Sequence, residues 1–151
     1  MEATKTATIR QYAGDDFMDV SRLLQEFHKE ALEEYGLDCE SHQIEKAINE
    51  NKSEVLVLEM DGKVVGLIAG TIIDYPLQKA KIFQELIWYV SKSYRKYGIS
   101  LLKELEKRCK ERGIYTVIMV AMGNSMAAKL DRLYRITGYK LLETHYIKVI
   151  K

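Results

Sequence analysis

Between residues 55 and 90 the chain carries three runs rich in apolar, β-branched and aromatic residues, separated by turn signals. No other stretch restricts the fold as strongly. Val55-Leu-Val-Leu58 and Val64-Val-Gly-Leu-Ile68 flank Asp61-Gly62, a pair that tolerates the positive φ angles of a two-residue hairpin turn. The second run continues to Ile73, Tyr75-Pro76 interrupts it, and a third runs from about Lys81 to Val90. Antiparallel pairing of the three predicts a meander.

Helical spacing takes over on both sides of this segment. Thr6 to Gln11 alternates around Ile9 as a short strand, and Ala13-Gly14-Asp15-Asp16 supplies a turn with acidic cap candidates. Phe17, Val20, Leu24, Phe27, Ala31 and Tyr35 recur at spacings of three and four, which predicts an amphipathic helix stopped by Gly36. A shorter helix is expected from Ser41 to about Asn51, with Ile44, Ala47 and Ile48 inward. After the meander, Leu101, Leu102, Leu105 and Cys109 mark a helix that ends at Gly113, and Tyr115 to Val120 reads as a strand. A strand-helix-strand crossover of that length predicts parallel pairing. Asn124 or Ser125 can cap a last helix through Leu130, Leu133, Tyr134 and Thr137, Gly138 can end it, and Tyr139 to Ile150 reads as a terminal strand. The expected order is β-α-α-β-β-β-α-β-α-β. It describes one α/β (α+β) domain over residues 1–151, with a mixed, mostly antiparallel central sheet flanked by helices.

Composition narrows the function classes. The 151 residues are 47% hydrophobic and 30% charged with a single proline, enough for one buried core and unlike a disordered or low-complexity chain. With 23 basic against 22 acidic residues the net charge is +1, too small for the positive field that non-specific nucleic-acid binding requires. Cys39 and Cys109 belong to no C-x-x-C pair and read as reduced thiols. His28, His42 and His145 show no metal-ligand spacing, so no metal is expected. No apolar run approaches the ~20 residues that span a bilayer, and Met1 to Thr8 lacks a signal-peptide core. A cytoplasmic protein without a membrane partner is the expectation.

The segment Val90-Ser-Lys-Ser-Tyr-Arg95-Lys-Tyr-Gly98-Ile-Ser100 sets Lys92, Arg95 and Lys96 just ahead of a helix start, where the dipole already favours negative charge. Three cations at the positive end of a helix call for an anion, and a glycine beside backbone amides fits a phosphate cradle. An ordinary solvated loop with Gly98 in a turn is the alternative.

Arg95-Lys-Tyr-Gly98-Ile-Ser100 after a strand ending at Val90 resembles the R/Q-x-x-G-x-G/A acetyl-coenzyme A signature of the GNAT superfamily of N-acetyltransferases. The element order is similar to that family's, and Leu133-Tyr134-Arg-Ile-Thr-Gly138-Tyr139 resembles its L-Y-x-x-x-G-F/Y signature. The resemblance implies direct transfer of an acetyl group from acetyl-CoA, as cosubstrate, to a primary amine of a small molecule or protein. It implies that Tyr89, Val90, Arg95, Lys96, Tyr97, Gly98, Ile99 and Ser100 form the coenzyme site, the backbone from Arg95 to Ser100 gripping the pyrophosphate. The pantetheine is implied between the strands Lys81 to Val90 and Tyr115 to Val120, which splay apart in the family. Ser100 stands where the family has Gly or Ala. Asn124 is the candidate for a further coenzyme contact, although it lies ten residues before Tyr134, farther than is usual.

That chemistry needs a base for the ammonium proton and an acid for the leaving thiolate. Tyr134 matches the family's tyrosine and is the expected general acid; a buried core ring is the other reading of the same residue. Glu85 is the only carboxylate in the strand Lys81 to Val90 and is the expected base. Strict alternation places it on one face with Ile87 and Tyr89, opposite Gln84, Leu86 and Trp88. If it faces the acetyl cleft, burial raises its pKa; if it faces outward it is a solvated strand residue. Glu26 to Glu45 holds seven acidic residues against Lys29 alone, a net of −6 that would attract a cationic, amine-bearing acceptor, or else forms the solvated face of two helices. Other classes stay open: a non-catalytic module of the same fold that binds acyl-CoA or a protein partner, and a structural protein that self-associates through exposed apolar surface by pairing edge strands, while a homodimer is compatible with an enzyme as well.

Overall fold

The computed structural model describes residues 6–123 and 126–151. Its strands are β1 (Ala7–Gln11), β2 (Val55–Met60), β3 (Lys63–Tyr75), β4 (Ala80–Val90) and β5 (Thr116–Ile118), in the spatial order β1-β2-β3-β4-β5. Its α-helices are α1 (Phe17–Ala31), α2 (Ser41–Asn51), α3 (Gly98–Glu111) and α4 (Ala127–Ile136). The meander forms as expected: Asp61 and Gly62 take φ of 52° and 80° and join β2 to β3, and β3 pairs antiparallel with β4. The crossover through α3 brings β5 parallel to β4. No helix among the described residues is long and apolar enough to cross a membrane.

Alternation along the strands sends side chains into two apolar layers. Leu56, Leu58, Ile68, Phe83 and Val90 meet Leu101, Leu102, Leu105 and Cys109 of α3 and Tyr134 of α4 on one face. Val55, Val57, Leu67, Ala69, Ile87 and Tyr89 meet Val20 and Leu23 of α1 and Ile44 and Ile48 of α2 on the other. Two polar devices fix α1. Arg10 in β1 forks onto both carboxylate oxygens of Asp16 at 2.8 Å, and Asp16 also accepts the Ala13 N–H, which holds its carboxyl below the usual range. In β3, Val65 is an extra residue between the pairs Leu58–Gly66 and Glu59–Val64. There the Val64 N–H donates to Asp19 and the Val64 carbonyl accepts from Arg22, so α1 satisfies backbone groups beside the bulge.

The terminal strand expected from Tyr139 to Ile150 does not form. Gly138 ends the helix with φ of 96° and Tyr139 packs on Tyr134, but the following residues join no ladder and leave Leu142, Tyr146 and Ile150 exposed. The expected order therefore loses its last strand. Two physical reasons account for this. The β4–β5 ladder spans only three residue pairs, a short template. Leu141-Leu142, Tyr146-Ile147 and Val149-Ile150 put apolar side chains on both faces at once, which suits a strand covered from both sides and not an edge.

Candidate active site

The site begins with one extra residue in β4. Ala69 pairs with Ile87 but Gly70 pairs with Glu85, so Leu86 is bulged out of the ladder. The bulge resets the alternation. Phe83 and Glu85 point toward α3 and α4, the side that Trp88 and Val90 also face, whereas Ile87 and Tyr89 point toward α1 and α2. The expectation that Glu85 shares a face with Ile87 and Tyr89 is thus corrected. On the other edge of β4, parallel pairing with β5 covers Ile82, Phe83 and Gln84 and then stops. Beyond that point the Val120 N–H donates at 3.1 Å to the Glu85 carboxylate instead of to a β4 carbonyl. A side chain replaces a ladder bond where the strands part.

Glu85 is 6% exposed. Loss of hydration pushes its carboxyl up to about 8, the Val120 N–H opposes this only in part, and no cation among the described residues contributes. The Tyr134 hydroxyl donates to the Val120 carbonyl at 2.9 Å, so the Val120 backbone links both sequence-predicted catalytic candidates. Burial, followed by the charge of Glu85, raises the Tyr134 hydroxyl above its ordinary value. Its ring lies 6.1 Å from Trp88 and 5.4 Å from Tyr139, so the core role also holds.

A cavity of about 480 Å³ passes through the parted strands. Phe27, Glu30 and Tyr89 line it on the α1 side, and Trp88, Val90, Gly98, Ile99, Leu130 and Leu133 on the α3 and α4 side, with Glu85 and Val120 between. Arg95, Lys96 and Lys129 are its cations and Glu30 and Glu85 its carboxylates. Of the predicted positions, Glu85, Tyr89, Val90, Arg95, Lys96, Gly98 and Ile99 are brought together here. Tyr97, Ser100 and Tyr134 are not among the lining residues, and Asn124 lies outside the described residues.

Lys92–Tyr97 is a 3-10 turn that runs directly into α3, and the Gly98 N–H donates to the Arg95 carbonyl. Gly98 has an ordinary helical φ of −60°, and a Cβ there would lie 3.7 Å from the Trp88 ring, a normal contact. The protein's own packing does not require glycine at this position. Arg95 folds back over the cavity wall. Its Nε donates to the Val90 carbonyl at 3.0 Å, Nη2 to both Glu30 oxygens at 2.9 and 3.0 Å, and its guanidinium lies 5.6 Å from the centre of the Tyr89 ring. Tyr89 donates its hydroxyl to Glu30 at 3.1 Å, and burial followed by that carboxylate pushes the hydroxyl up to about 12.

The model of the acetyltransferase (GNAT) family matches residues 17–139, which include the whole cavity wall. The chain belongs to the GNAT family. The fold of this GNAT member is also that of solved acetyltransferases. A ribosomal-protein-alanine N-acetyltransferase from Brucella melitensis biovar Abortus 2308 is similar, with a TM-score of 0.77 at 18% identity over 96% of this chain and 99% of that one. A glucosamine-6-phosphate N-acetyltransferase from Arabidopsis thaliana gives 0.73 at 18% identity over 97% and 99%. An aminoglycoside acetyltransferase from an uncultured soil metagenomic sample gives 0.73 at 17% identity over 97% and 99%. No curated protein matches the chain in sequence.

Several wall residues of this GNAT protein escape a reading of the sequence. Glu30 stood out only as one of seven acids, because its partners Arg95 and Tyr89 lie 65 and 59 positions away. Lys129 carries no local signal, and Trp88 reads as packing. The assembled site places Arg95, Lys96 and Lys129 on the same cavity wall as a buried carboxyl pushed up to about 8 by loss of hydration. That pairing can bind an anion and take up a proton within one cavity.

Proposed function

We propose that this GNAT protein is an acetyl-CoA-dependent N-acetyltransferase that transfers the acetyl group directly to a primary amine. The observation that carries the reading is the cavity through the sheet, whose wall carries Arg95, Lys96 and Lys129 together with the buried Glu85. Arg95, Lys96, Lys129 and the backbone near Gly98 would hold the anionic coenzyme, and its narrow arm would lie in the cavity beside Val120. When bound, acetyl-CoA supplies a thioester carbonyl open to amine attack and a thiol as leaving group. Glu85, as carboxylate, takes the proton that the ammonium must lose before its nitrogen can attack. A carboxyl near 8 is a stronger base than a solvated one and is still partly ionised at neutral pH. Tyr134 would return a proton to the thiolate once its hydroxyl turns from Val120. The acidic α1–α2 region favours a cationic acceptor, and Cys39 and Cys109, both unpaired, fit a cytoplasmic setting.

Acetyl-CoA at 100 times its dissociation constant adds about 2.7 kcal/mol to the stability of a protein that binds it only when folded. The thermal midpoint of the wild type is expected to rise accordingly. Gly98→Ala should keep the wild-type midpoint without ligand to within a few degrees, because its Cβ makes only ordinary contacts with Trp88 and Val90, whereas Gly98→Val should lose the rise by crowding the backbone amides. No rise in the wild type at millimolar acetyl-CoA would refute the reading. Release of free thiol from acetyl-CoA on addition of an amine library then identifies turnover.

One observation favours a second reading, a module that binds acyl-CoA without turnover: Tyr134 is held by Val120 and does not line the cavity. Thiol release from acetyl-CoA with the amine library separates the two, and Tyr134→Phe then tests whether the hydroxyl is the acid. As general acid, Tyr134 is worth about 100-fold or more in kcat with acetyl-CoA affinity kept. As a packing residue, its loss leaves turnover intact and lowers stability by about 1 kcal/mol through the unpaired Val120 carbonyl.

A further inference from the structure

Glu30 and Arg95 both line the cavity, and each is only about a quarter exposed. Arg95 donates through Nη2 to both oxygens of Glu30, its Nε donates to the Val90 carbonyl, and its guanidinium lies 5.6 Å from the centre of the Tyr89 ring, so it has other partners besides that carboxylate. Glu30 reaches the cavity from α1, and Glu85 enters it from the opposite face of the sheet. We propose that Glu30 is the carboxylate that receives the acceptor's ammonium, and that Arg95 masks it until an anionic coenzyme draws the guanidinium away. The proposal rests on the acetyl-CoA reading above and adds an order and a recognition residue to it.

The exchange follows from charge. A pyrophosphate among Arg95, Lys96 and Lys129 carries more negative charge than one carboxylate and offers more acceptor oxygens to the same guanidinium N–H groups. It therefore competes with Glu30 for Arg95. Once Arg95 turns, Glu30 keeps, among the described residues, only the Tyr89 hydroxyl bond and is left partly desolvated without its ion-pair partner, an unfavourable state that a new cation relieves. A primary ammonium entering from the α1 side supplies that cation. The two cavity carboxylates then have separate roles: Glu30 holds the ammonium on arrival, and Glu85 accepts its proton. By reciprocity, coenzyme and amine strengthen each other's binding.

Two titrations test this. Acetyl-CoA is titrated calorimetrically into wild type, Glu30→Gln and Glu33→Gln, the last making the same charge change at an exposed position on the turn after α1. Removing a competitor for Arg95 should tighten acetyl-CoA about fivefold in Glu30→Gln, with Glu33→Gln unchanged. An unchanged or weaker affinity in Glu30→Gln overturns the mask, whereas failure of the wild type to bind acetyl-CoA removes the functional reading beneath it. In the second titration, n-propylammonium chloride is added to isotopically labelled wild type with and without saturating coenzyme A. The Glu30 amide signal should shift only when coenzyme A is present, and not at all for residue 30 of Glu30→Gln. A shift of equal size without coenzyme A, or none with it, overturns the recognition role.

Discussion

Glu85→Gln is expected to lower kcat about 100-fold or more and to abolish the rise of rate with pH, since a positioned general base contributes on the order of 10²–10⁴. The active form of Glu85 is the carboxylate, and its carboxyl titrates at about 8. In the wild type, kcat/KM should therefore climb about tenfold per pH unit below that value and level off above it. Glutamine keeps the shape and can still accept the Val120 N–H, but it takes up no proton, so the profile of the variant should be flat in this window. A profile that keeps its slope would remove Glu85 as the base. Stability gives an independent reading. Because the folded value lies above the ordinary 4.5, the fold favours the protonated carboxyl. Between about 4.5 and about 8 the unfolded chain has released this proton while the folded chain retains it, so wild-type stability falls as pH rises, with a limiting slope of about 1.4 kcal/mol per unit. Glu85→Gln lacks that slope. Its urea midpoint should exceed that of the wild type at pH 8 by more than at pH 5.

Gly70→Ala should destabilise the fold by about 3 kcal/mol or more, lowering the thermal midpoint by on the order of 10 °C. Gly70 faces Glu85 across the β3–β4 ladder, where a Cβ would overlap the Gln84 carbonyl oxygen and the Phe83 ring. Neither can yield cheaply: the oxygen belongs to the ladder backbone and Phe83 is fully buried. Relief requires moving Phe83 to Glu85, so the carboxyl leaves its place beside Val120 and activity falls with stability. Two other glycines serve as a scale. At Gly66 a Cβ would lie 3.0 Å from a Val90 methyl, and at Gly98 3.7 Å from Trp88, which predicts a moderate effect and almost none. A midpoint for Gly70→Ala within about 2 °C of wild type would mean that this contact does not hold the bulge in place.

What was legible in the sequence was local. Asp61-Gly62 announces its turn because both residues must take positive φ, and Gly113 follows α3 in the left-handed conformation that glycine reaches without strain; the helix expected to run through Tyr35 to Gly36 instead stops at Ala31, and Gly36 closes the separate 3-10 turn Glu33–Tyr35. The cationic approach to α3 is equally local, since charge and helix start adjoin. The Leu86 bulge is not. Nothing between Lys81 and Val90 marks it, because it arises from how β4 meets Gly70 on another strand, and with it went the face on which Glu85 lies. The pairing of Glu30 with Arg95 was hidden for the same reason: a count of acids gives their number but not which one meets a cation 65 positions away. The misread Tyr139–Ile150 strand shows the complementary failure. Apolar composition states that a segment needs cover, and the sheet beside it decides whether a ladder is on offer.

The three-pair ladder between β4 and β5 also makes the stability of the chain uneven. Opening a sheet takes the least free energy where the fewest backbone bonds must break at once, so the fluctuations of lowest energy should detach β5 and leave the longer β2–β3–β4 ladders intact. The wall that faces Glu85 is then the first part of the molecule to loosen. A cosubstrate that touches both walls would act as a transient fourth rung, so binding would tighten one region of the protein and leave the remainder as it was.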